Sequence, residues 1–208
     1  MAAVLYERCA REYANYWRNK ERAFVMDLAG GDAATTLVAT QKAAGYFRIA
    51  RNFPTAFDVE RGLRRFEPML QVFDEARVTT VLPATLVEVV LLFQRKLGDV
   101  YGGRKVLSAA TKFLWLLHRD PVVIFDSQAR VALGAPIGDY SRYLKLWYAG
   151  YELAKQPIAA ACSELPNDQV DSTTASAEWF RRRVYDIYLW RAGSPAKKHN
   201  ESDNVPIA

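Results

Sequence analysis

Apolar and polar positions follow a helical period along nearly the whole chain. The first segment, about residues 2–28, carries apolar side chains at steps of three and four, which predicts one long helix. A second helix is expected from Asp32, as its N-terminal cap, to about Ala50. Pro54 marks the end of this helical segment, because the residue before a proline resists helical geometry.

The middle of the chain predicts three further helices. One starts near Ala56 and is kinked or split at Pro68. The next follows a threonine cap, has Pro83 in its first turn and is apolar enough to be buried. The stretch RKVLSAATKFLWLL (104–117) predicts another helix, directly after the Gly-rich turn GDVYGG (98–103).

The last third of the chain begins with the one piece that looks extended, residues 122–125, and a short helix follows it. After Gly134 we expect a long amphipathic helix that is interrupted near Pro157. A final helix, capped at Ser176 or nearby, is expected to run through Trp190.

These elements predict an all-α protein of about eight or nine helices. The chain of 208 residues is long enough for one domain with its own core. We expect this single helical domain over residues 1–192, with two packed helical subdomains and a cleft between them as a variant of the same architecture. Residues 193–208 are polar and are expected to form a flexible tail.

The charge balance favours a polyanionic partner. The chain has 28 Lys and Arg against 23 Asp and Glu, a formal net charge of +5. The basic residues cluster as Arg61/Arg64/Arg65, Arg95/Lys96, Arg104/Lys105 and Arg181/Arg182/Arg183. Phosphate contacts dominate nucleic-acid affinity, so these clusters indicate a nucleic-acid surface. The alternative is that each cluster is an ordinary solvated helix face.

The composition excludes several other classes of protein. Cys9 and Cys162 follow no metal or redox spacing, and His118 and His199 are too few for a His-rich site, so we expect no metal and no cofactor. No apolar run approaches the roughly 18 residues that span a bilayer. The N-terminal stretch meets Arg and Glu too early for a secretory signal. The spacing of the two cysteines indicates a reduced, cytoplasmic compartment, and we expect a monomer without membrane contact.

The candidate chemistry centres on Asp126, which follows the apolar run PVVIF (121–125). This run is expected to cross the interior and return the chain to the start of a helix that Asp126 caps. A helix N-terminus keeps a carboxylate ionised, as the stabiliser of a nearby cation requires. A purely structural cap and a catalytic carboxylate are therefore both compatible with this position.

A polar stripe runs along the otherwise apolar helix that precedes Asp126. Lys105, Ser108 and Lys112 are spaced by three and four residues, which predicts that they share one helix face. Two ammonium groups on one stripe are suited to meet a phosphate or a carboxylate. The alternative is that the stripe is only the wet side of the helix.

These pieces resemble the helix–hairpin–helix DNA glycosylases. The resemblance rests on LGDVYGGRKVLSAATKFLWLL and DPVVIFDS and covers about 40 residues, 95–134. It implies a glycosylase-like helical fold in which Gly102, Gly103 and the following Arg104 hold a DNA phosphate. It also implies that Asp126 stabilises the cationic sugar, or activates water, as the base leaves. Small stand-alone bacterial members that act in phage defence are a similar case.

The same family contains members in which a lysine of the second helix attacks the sugar. Lys105 lies 21 residues before Asp126 and Lys112 lies 14 before it, and neither spacing matches the family lysine. Both lysines are catalytic candidates, but a monofunctional enzyme that leaves an abasic site is favoured. The turn reads Tyr101-Gly102-Gly103, where the family usually has Gly-hydrophobic-Gly.

Base excision also needs a pocket and contacts to the DNA backbone, because the base must leave the stack to be reached. The aromatic candidates for the pocket are Tyr101, Trp115, Tyr140, Tyr143 and Trp147, with Tyr140 and Tyr143 preferred. Taken singly, each of these residues favours a place in the core over one in a pocket. Arg48, Arg51, Asn52 and Ser108 are candidate DNA contacts, and Asp139 is either a second acid or a helix cap.

Three functions remain open at this point. The first is a DNA glycosylase acting on double-stranded DNA with a modified base. The sequence does not identify the base: uracil, alkylated purines and oxidised guanine are open, and a role in phage defence would point to glucosylated hydroxymethylcytosine. The second is a non-catalytic helical DNA-binding module that keeps the turn and the basic clusters. The third is a helical protein-interaction subunit whose charge serves solubility.

Overall fold

The computed structural model of the protein describes residues 2–54 and 64–194. All regular structure in these residues is helical, which confirms the all-α prediction and its count of eight or nine helices. Helix α1 consists of Ala2–Tyr16, a π-helical turn over Trp17–Glu21, and Arg22–Gly30. The others are α2 (Ala33–Tyr46), α3 (Met69–Arg77), α4 (Leu86–Asp99), α5 (Leu107–Leu117), α6 (Ser127–Ala132), α7 (Tyr140–Ser163), α8 (Ser172–Ser176) and α9 (Glu178–Gly193).

Some predictions fall outside the described residues. These are the helix start near Ala56, the basic residue Arg61 and the polar tail from residue 195 onward. Helix α3 begins directly after Pro68, so this proline lies at the start of a helix and does not kink one there. Helix α4 begins at Leu86, after Thr85, so Pro83 precedes the helix and does not lie in its first turn.

The predicted interruption near Pro157 is wrong, since α7 runs unbroken through this residue. A proline inside a helix leaves the carbonyl four residues earlier without its partner. Here both Pro157 and Leu153 lie on the exposed side of α7, where water can satisfy the carbonyl of Leu153. The exposed position explains why the helix tolerates this proline.

The core forms on both sides of α5, which is apolar almost all round. On one side Phe113 packs against Phe73 of α3, with ring centroids 5.3 Å apart. On the other side Trp115 lies edge-on to Trp179 of α9 at 6.4 Å. Helix α9 in turn packs against α1, α6 and α7. Helix α5 therefore lies between the two halves of the core, and these contacts hold the helix in place.

A buried ion network lies in the same part of the core. The π-helical turn of α1 places Glu21 in the interior, where its Oε1 accepts a hydrogen bond from Arg183 of α9 at 2.9 Å. Arg183 also pairs with Asp186 at 3.2 Å, and Asp186 accepts from Nε1 of Trp147 at 2.8 Å. Buried charges persist only when they are paired in this way.

The described helices include none with both the length and the apolar character needed to cross a membrane. Cys9 and Cys162 are both buried and unpaired with each other.

Candidate functional site

Asp126 stands where the chain leaves the core. Residues 122–125 are neither helix nor strand, and all four are buried, as the sequence predicts for an interior crossing. Asp126 then caps α6, because its Oδ1 accepts a hydrogen bond from the backbone N–H of Gln128 at 2.9 Å. The predicted cap is confirmed. We call residues 122–125 the interior crossing.

The second carboxylate oxygen of Asp126 meets Lys112. The ammonium of Lys112 lies 3.0 Å from Oδ2 of Asp126 and 3.1 Å from the hydroxyl of Ser108, one helical turn earlier on α5. The side chain of Lys112 is 9% exposed and that of Asp126 is 23% exposed. The ammonium is therefore almost enclosed, while the carboxylate remains partly accessible to solvent.

Several charges act on this pair. Burial lowers the pKa of the Lys112 ammonium and the Asp126 carboxylate opposes the shift, while the guanidinium groups of Arg183 and Arg51 lower it further. Burial also raises the pKa of Asp186 to about 6, against the influence of Arg183. The pair is thus within electrostatic range of both the buried ion network and the exposed Arg51.

Lys105 does not share the stripe predicted for it. Helix α5 begins at Leu107, so Lys105 lies in the preceding loop and its side chain is exposed. The stripe that exists is Ser108 and Lys112. The helix starts late because the backbone amides up to Arg104 are still bonded to the end of α4. The structure therefore brings one of the two candidate lysines, Lys112, to Asp126.

The connection between α4 and α5 is a compact turn, residues 100–104, which we call the glycine turn. Gly102 and Gly103 have φ values of +79° and +78°, a left-handed conformation that side chains disfavour. The carbonyl of Gly98 accepts from the N–H groups of Gly103 at 3.0 Å and Arg104 at 3.3 Å. Helix α5 starts directly after the turn. Its N-cap residue, Val106, offers no side-chain acceptor to the first N–H groups of the helix.

Residues 48–52, which we call the arginine loop, lie beside the glycine turn. Phe53, which follows the loop, contacts Tyr101 of the turn with ring centroids 4.9 Å apart. Arg65 donates to the carbonyls of Phe53 and Ala50, and its own carbonyl accepts from the hydroxyl of Tyr101 at 2.6 Å. The loop and the turn are therefore neighbours, and the guanidinium of Arg51 in the loop acts electrostatically on the Lys112 ammonium.

The candidate DNA contacts are accessible. Gly102, Gly103, Arg104, Arg48 and Arg51 are exposed, and Asn52 and Ser108 are half-buried. Arg65, which the sequence assigns to a basic cluster, instead ties the loop to the turn. The sequence missed Thr111, which contacts the interior crossing. The only signal for Thr111 is a polar residue in an apolar helix next to Lys112.

Arg48 adopts a strained backbone at the end of α2. Its φ is +54°, and the N–H of Ile49 bonds to the carbonyl of Ala44 at 2.9 Å while that of Arg48 bonds to Gly45 at 3.0 Å. This is the Schellman pattern, in which glycine is usual at the position of Arg48. The motif explains why α2 ends at Tyr46 and not near Ala50.

Substituting Arg48→Gly is expected to raise the free energy of unfolding by about 0.5–1 kcal/mol, because glycine adopts this backbone without strain. Urea unfolding measures the change. Arg48→Ala is the control, since it removes the same side chain and keeps the strain, so we expect no gain. A gain of equal size in both variants would contradict the explanation.

The aromatic residues proposed for a base pocket lie in the core instead. Tyr101, Trp115, Tyr140, Tyr143 and Trp147 are each 3% exposed or less. The hydroxyls of Tyr140 and Tyr143 donate to the carbonyls of the interior crossing, and Arg183 stacks on Trp115. The pocket prediction is therefore wrong in this structure, because these rings are needed to cover the crossing and the ion network.

Other predicted residues have structural partners. Asp139 caps α7, because it accepts a hydrogen bond from the N–H of Arg142 at 2.8 Å. Of the two roles predicted for Asp139, the structure shows the helix cap. In the last basic cluster Arg183 is buried, and Arg182 pairs with Asp120. Lys96 pairs with Glu75. These side chains are explained by packing, whereas the exposed cations of the arginine loop and the glycine turn are not.

Within residues 2–54 and 64–194 no three His, Cys, Asp or Glu side chains come together in a way that could hold a metal ion. Comparisons with protein family models, with curated proteins and with solved structures found no significant match.

Proposed function

We propose that the protein is a DNA glycosylase that flips a modified base out of double-stranded DNA and excises it at Asp126. The observation that carries the proposal is the contact of Lys112 with Asp126 at 3.0 Å, in which the carboxylate is partly exposed. The exposed Arg51 of the arginine loop acts electrostatically on Lys112. A carboxylate fixed in place at the edge of a basic surface suits a reaction that builds positive charge on a DNA sugar.

In the proposed reaction the bond between C1′ of the sugar and the base nitrogen breaks, and its electron pair leaves with the base. The carboxylate of Asp126 stabilises the cationic sugar from below. Water then bonds to C1′ and supplies the proton that the departing base takes up. Lys112 holds Oδ2 of Asp126 in position, while the Gln128 N–H holds Oδ1. The product is an abasic site with an intact strand.

The DNA backbone is proposed to lie across the glycine turn and the arginine loop. Gly102 and Gly103 allow close approach of a phosphate, and the uncapped N–H groups at the start of α5 favour an anion there. Arg104 and Lys105 add exposed positive charge on the same turn. Arg51 is then placed to contact the strand near the flipped nucleotide.

The proposed substrate class is bulky modified cytosine, with glucosylated hydroxymethylcytosine of phage DNA as its representative and antiviral defence as the role. The aromatic rings expected to wall a pocket are buried, so other residues must receive the base.

The test is release of free base. We would incubate the protein with unmodified DNA, with DNA that contains uracil, alkylated or oxidised bases, and with phage DNA that carries glucosylated hydroxymethylcytosine, and identify released bases by mass spectrometry. We expect release from the glucosylated DNA, with strand breaks only after alkali, as for a monofunctional enzyme. DNA binding without release from any substrate would instead favour the non-catalytic DNA-binding module.

Removal of Arg51 or Arg104 is expected to weaken binding to every DNA sequence alike. Each substitution to Ala removes about one phosphate contact, so the slope of log affinity against log salt becomes less steep by about 0.9. Fluorescence anisotropy at a series of salt concentrations measures the slope. Arg11, which lies 3.8 Å from Glu7 on α1, is the control, and Arg11→Ala should leave the slope unchanged. Unchanged slopes in all three variants would contradict the proposed docking surface.

A further inference from the structure

The interior crossing has no secondary structure to satisfy its backbone, so side chains must do so. Three buried hydroxyls contact it. Oγ1 of Thr111 accepts from the N–H of Phe125 at 3.0 Å. The hydroxyls of Tyr140 and Tyr143 donate to the carbonyls of Val123 and Ile124, each at 2.9 Å. Thr111, Tyr140 and Tyr143 are each at most 1% exposed.

The hydrogen bond between Thr111 and Phe125 lies next to the candidate catalytic pair, both on α5 and in the interior crossing. Thr111 precedes Lys112 on α5, and Phe125 precedes Asp126 in the crossing. The hydrogen bond from the N–H of Phe125 to Thr111 is 3.0 Å long. The contact of Lys112 with Asp126 is also 3.0 Å long and lies one residue further along each segment. The hydroxyl of Thr111 is itself oriented by the carbonyls of Leu107 and Ser108 at 3.2 Å.

We propose that Thr111 is a positioning residue that sets where the Asp126 carboxylate stands against Lys112, and that Tyr143 supports it from α7. This inference rests on the proposed glycosylase function. Thr111 touches neither Asp126 nor any DNA-facing group and acts through the backbone of Phe125. Its hydroxyl locks α5 to the crossing in one register, and a displacement of about 1 Å at a reacting group costs about 100-fold in rate.

The test is Thr111→Val, which keeps the shape of the side chain and removes the acceptor. Under single turnover with saturating protein, we expect base release to slow by about 10- to 100-fold while the affinity for DNA stays within about twofold. Thr111→Ser restores an acceptor and should recover most of the rate. Thr40, which is fully buried and bonds to the carbonyl of Thr36 at 2.7 Å, gives the matched control Thr40→Val, whose rate should not change.

A second readout does not depend on activity. In protein labelled at lysine, NMR titration gives the pKa of Lys112 directly, with its signal assigned from Lys112→Met. The carboxylate raises this pKa against burial, so we expect it to fall in Thr111→Val and to return in Thr111→Ser. If the wild-type protein releases no base from any DNA, the proposed function fails, and this titration still tests the positioning role.

Two results would overturn the inference. One is equal slowing in Thr111→Ser and Thr111→Val, and the other is an unchanged pKa of Lys112 in Thr111→Val. Should Thr111→Val fail to fold, Tyr143→Phe carries the test. It removes the hydroxyl that holds the carbonyl of Ile124 and that also meets the backbone of Asp126, and it is expected to slow base release while leaving DNA affinity unchanged.

Discussion

Replacement of Asp126 by asparagine is expected to slow base release by about 10²- to 10³-fold, the usual loss when one positioned electrostatic group is removed from an active site. The amide keeps the cap, because asparagine accepts a hydrogen bond from the N–H of Gln128 as well as aspartate does. It removes the negative charge that faces the sugar. Release would be followed by mass spectrometry of free base under single turnover.

DNA binding by the Asp126→Asn variant should persist, since Asp126 contributes no positive charge to the surface. With its oxygen on Gln128, the amide turns its NH₂ group toward the Lys112 ammonium, so loss of this nearly buried pair is expected to lower the free energy of unfolding by about 3–5 kcal/mol. Asp32→Asn is the matched control, because Asp32 caps α2 in the same way, with its Oδ1 2.7 Å from the N–H of Thr35.

The outcomes of this experiment separate three interpretations of Asp126. Base release lost with binding retained supports the catalytic role. Base release at the wild-type rate in Asp126→Asn would exclude Asp126 as the catalytic carboxylate. If Asp126→Asn unfolds while Asp32→Asn stays folded, the ion pair with Lys112 has a structural role and is required for the stability of the fold.

Gly98→Ala is expected to lower the free energy of unfolding by about 2–3 kcal/mol, as overpacking in a tightly packed site does. A Cβ at this position would lie 2.2 Å from the backbone oxygen of Arg104. Because that neighbour is backbone, no side chain can rotate away, and the glycine turn must shift as a unit. Chemical denaturation would measure the loss, and DNA affinity should fall with it, since Gly102 and Gly103 move.

Gly45→Ala is the control for this prediction. Gly45 lies in α2 with no atom within 4 Å of a built Cβ, so alanine there should be neutral or stabilising by up to about 1 kcal/mol. The same substitution is thus expected to change stability in opposite directions at two helical glycines. A loss of equal size at both positions would show that the approach of Arg104 to Gly98 is not the cause.

The parts of the site that depend on near neighbours in the chain could be predicted from the sequence. The cap at Asp126 follows from an acid placed directly before a helix, and the interior crossing follows from an uninterrupted apolar run. The same holds for the cap at Asp32. Pro157 was misinterpreted because its effect depends on which side of α7 faces water, and this depends on packing.

The sequence by itself determined the all-α character, most helices and the two caps, because helical period and capping involve residues only a few positions apart. Only the tertiary structure decided that Lys112 meets Asp126, that Lys105 stays in a loop, and that Arg51 lies within reach of the pair. It also decided that Tyr140 and Tyr143 hold the interior crossing. These contacts join segments distant in the chain, and an aromatic or basic residue carries no local mark of which segment it will face.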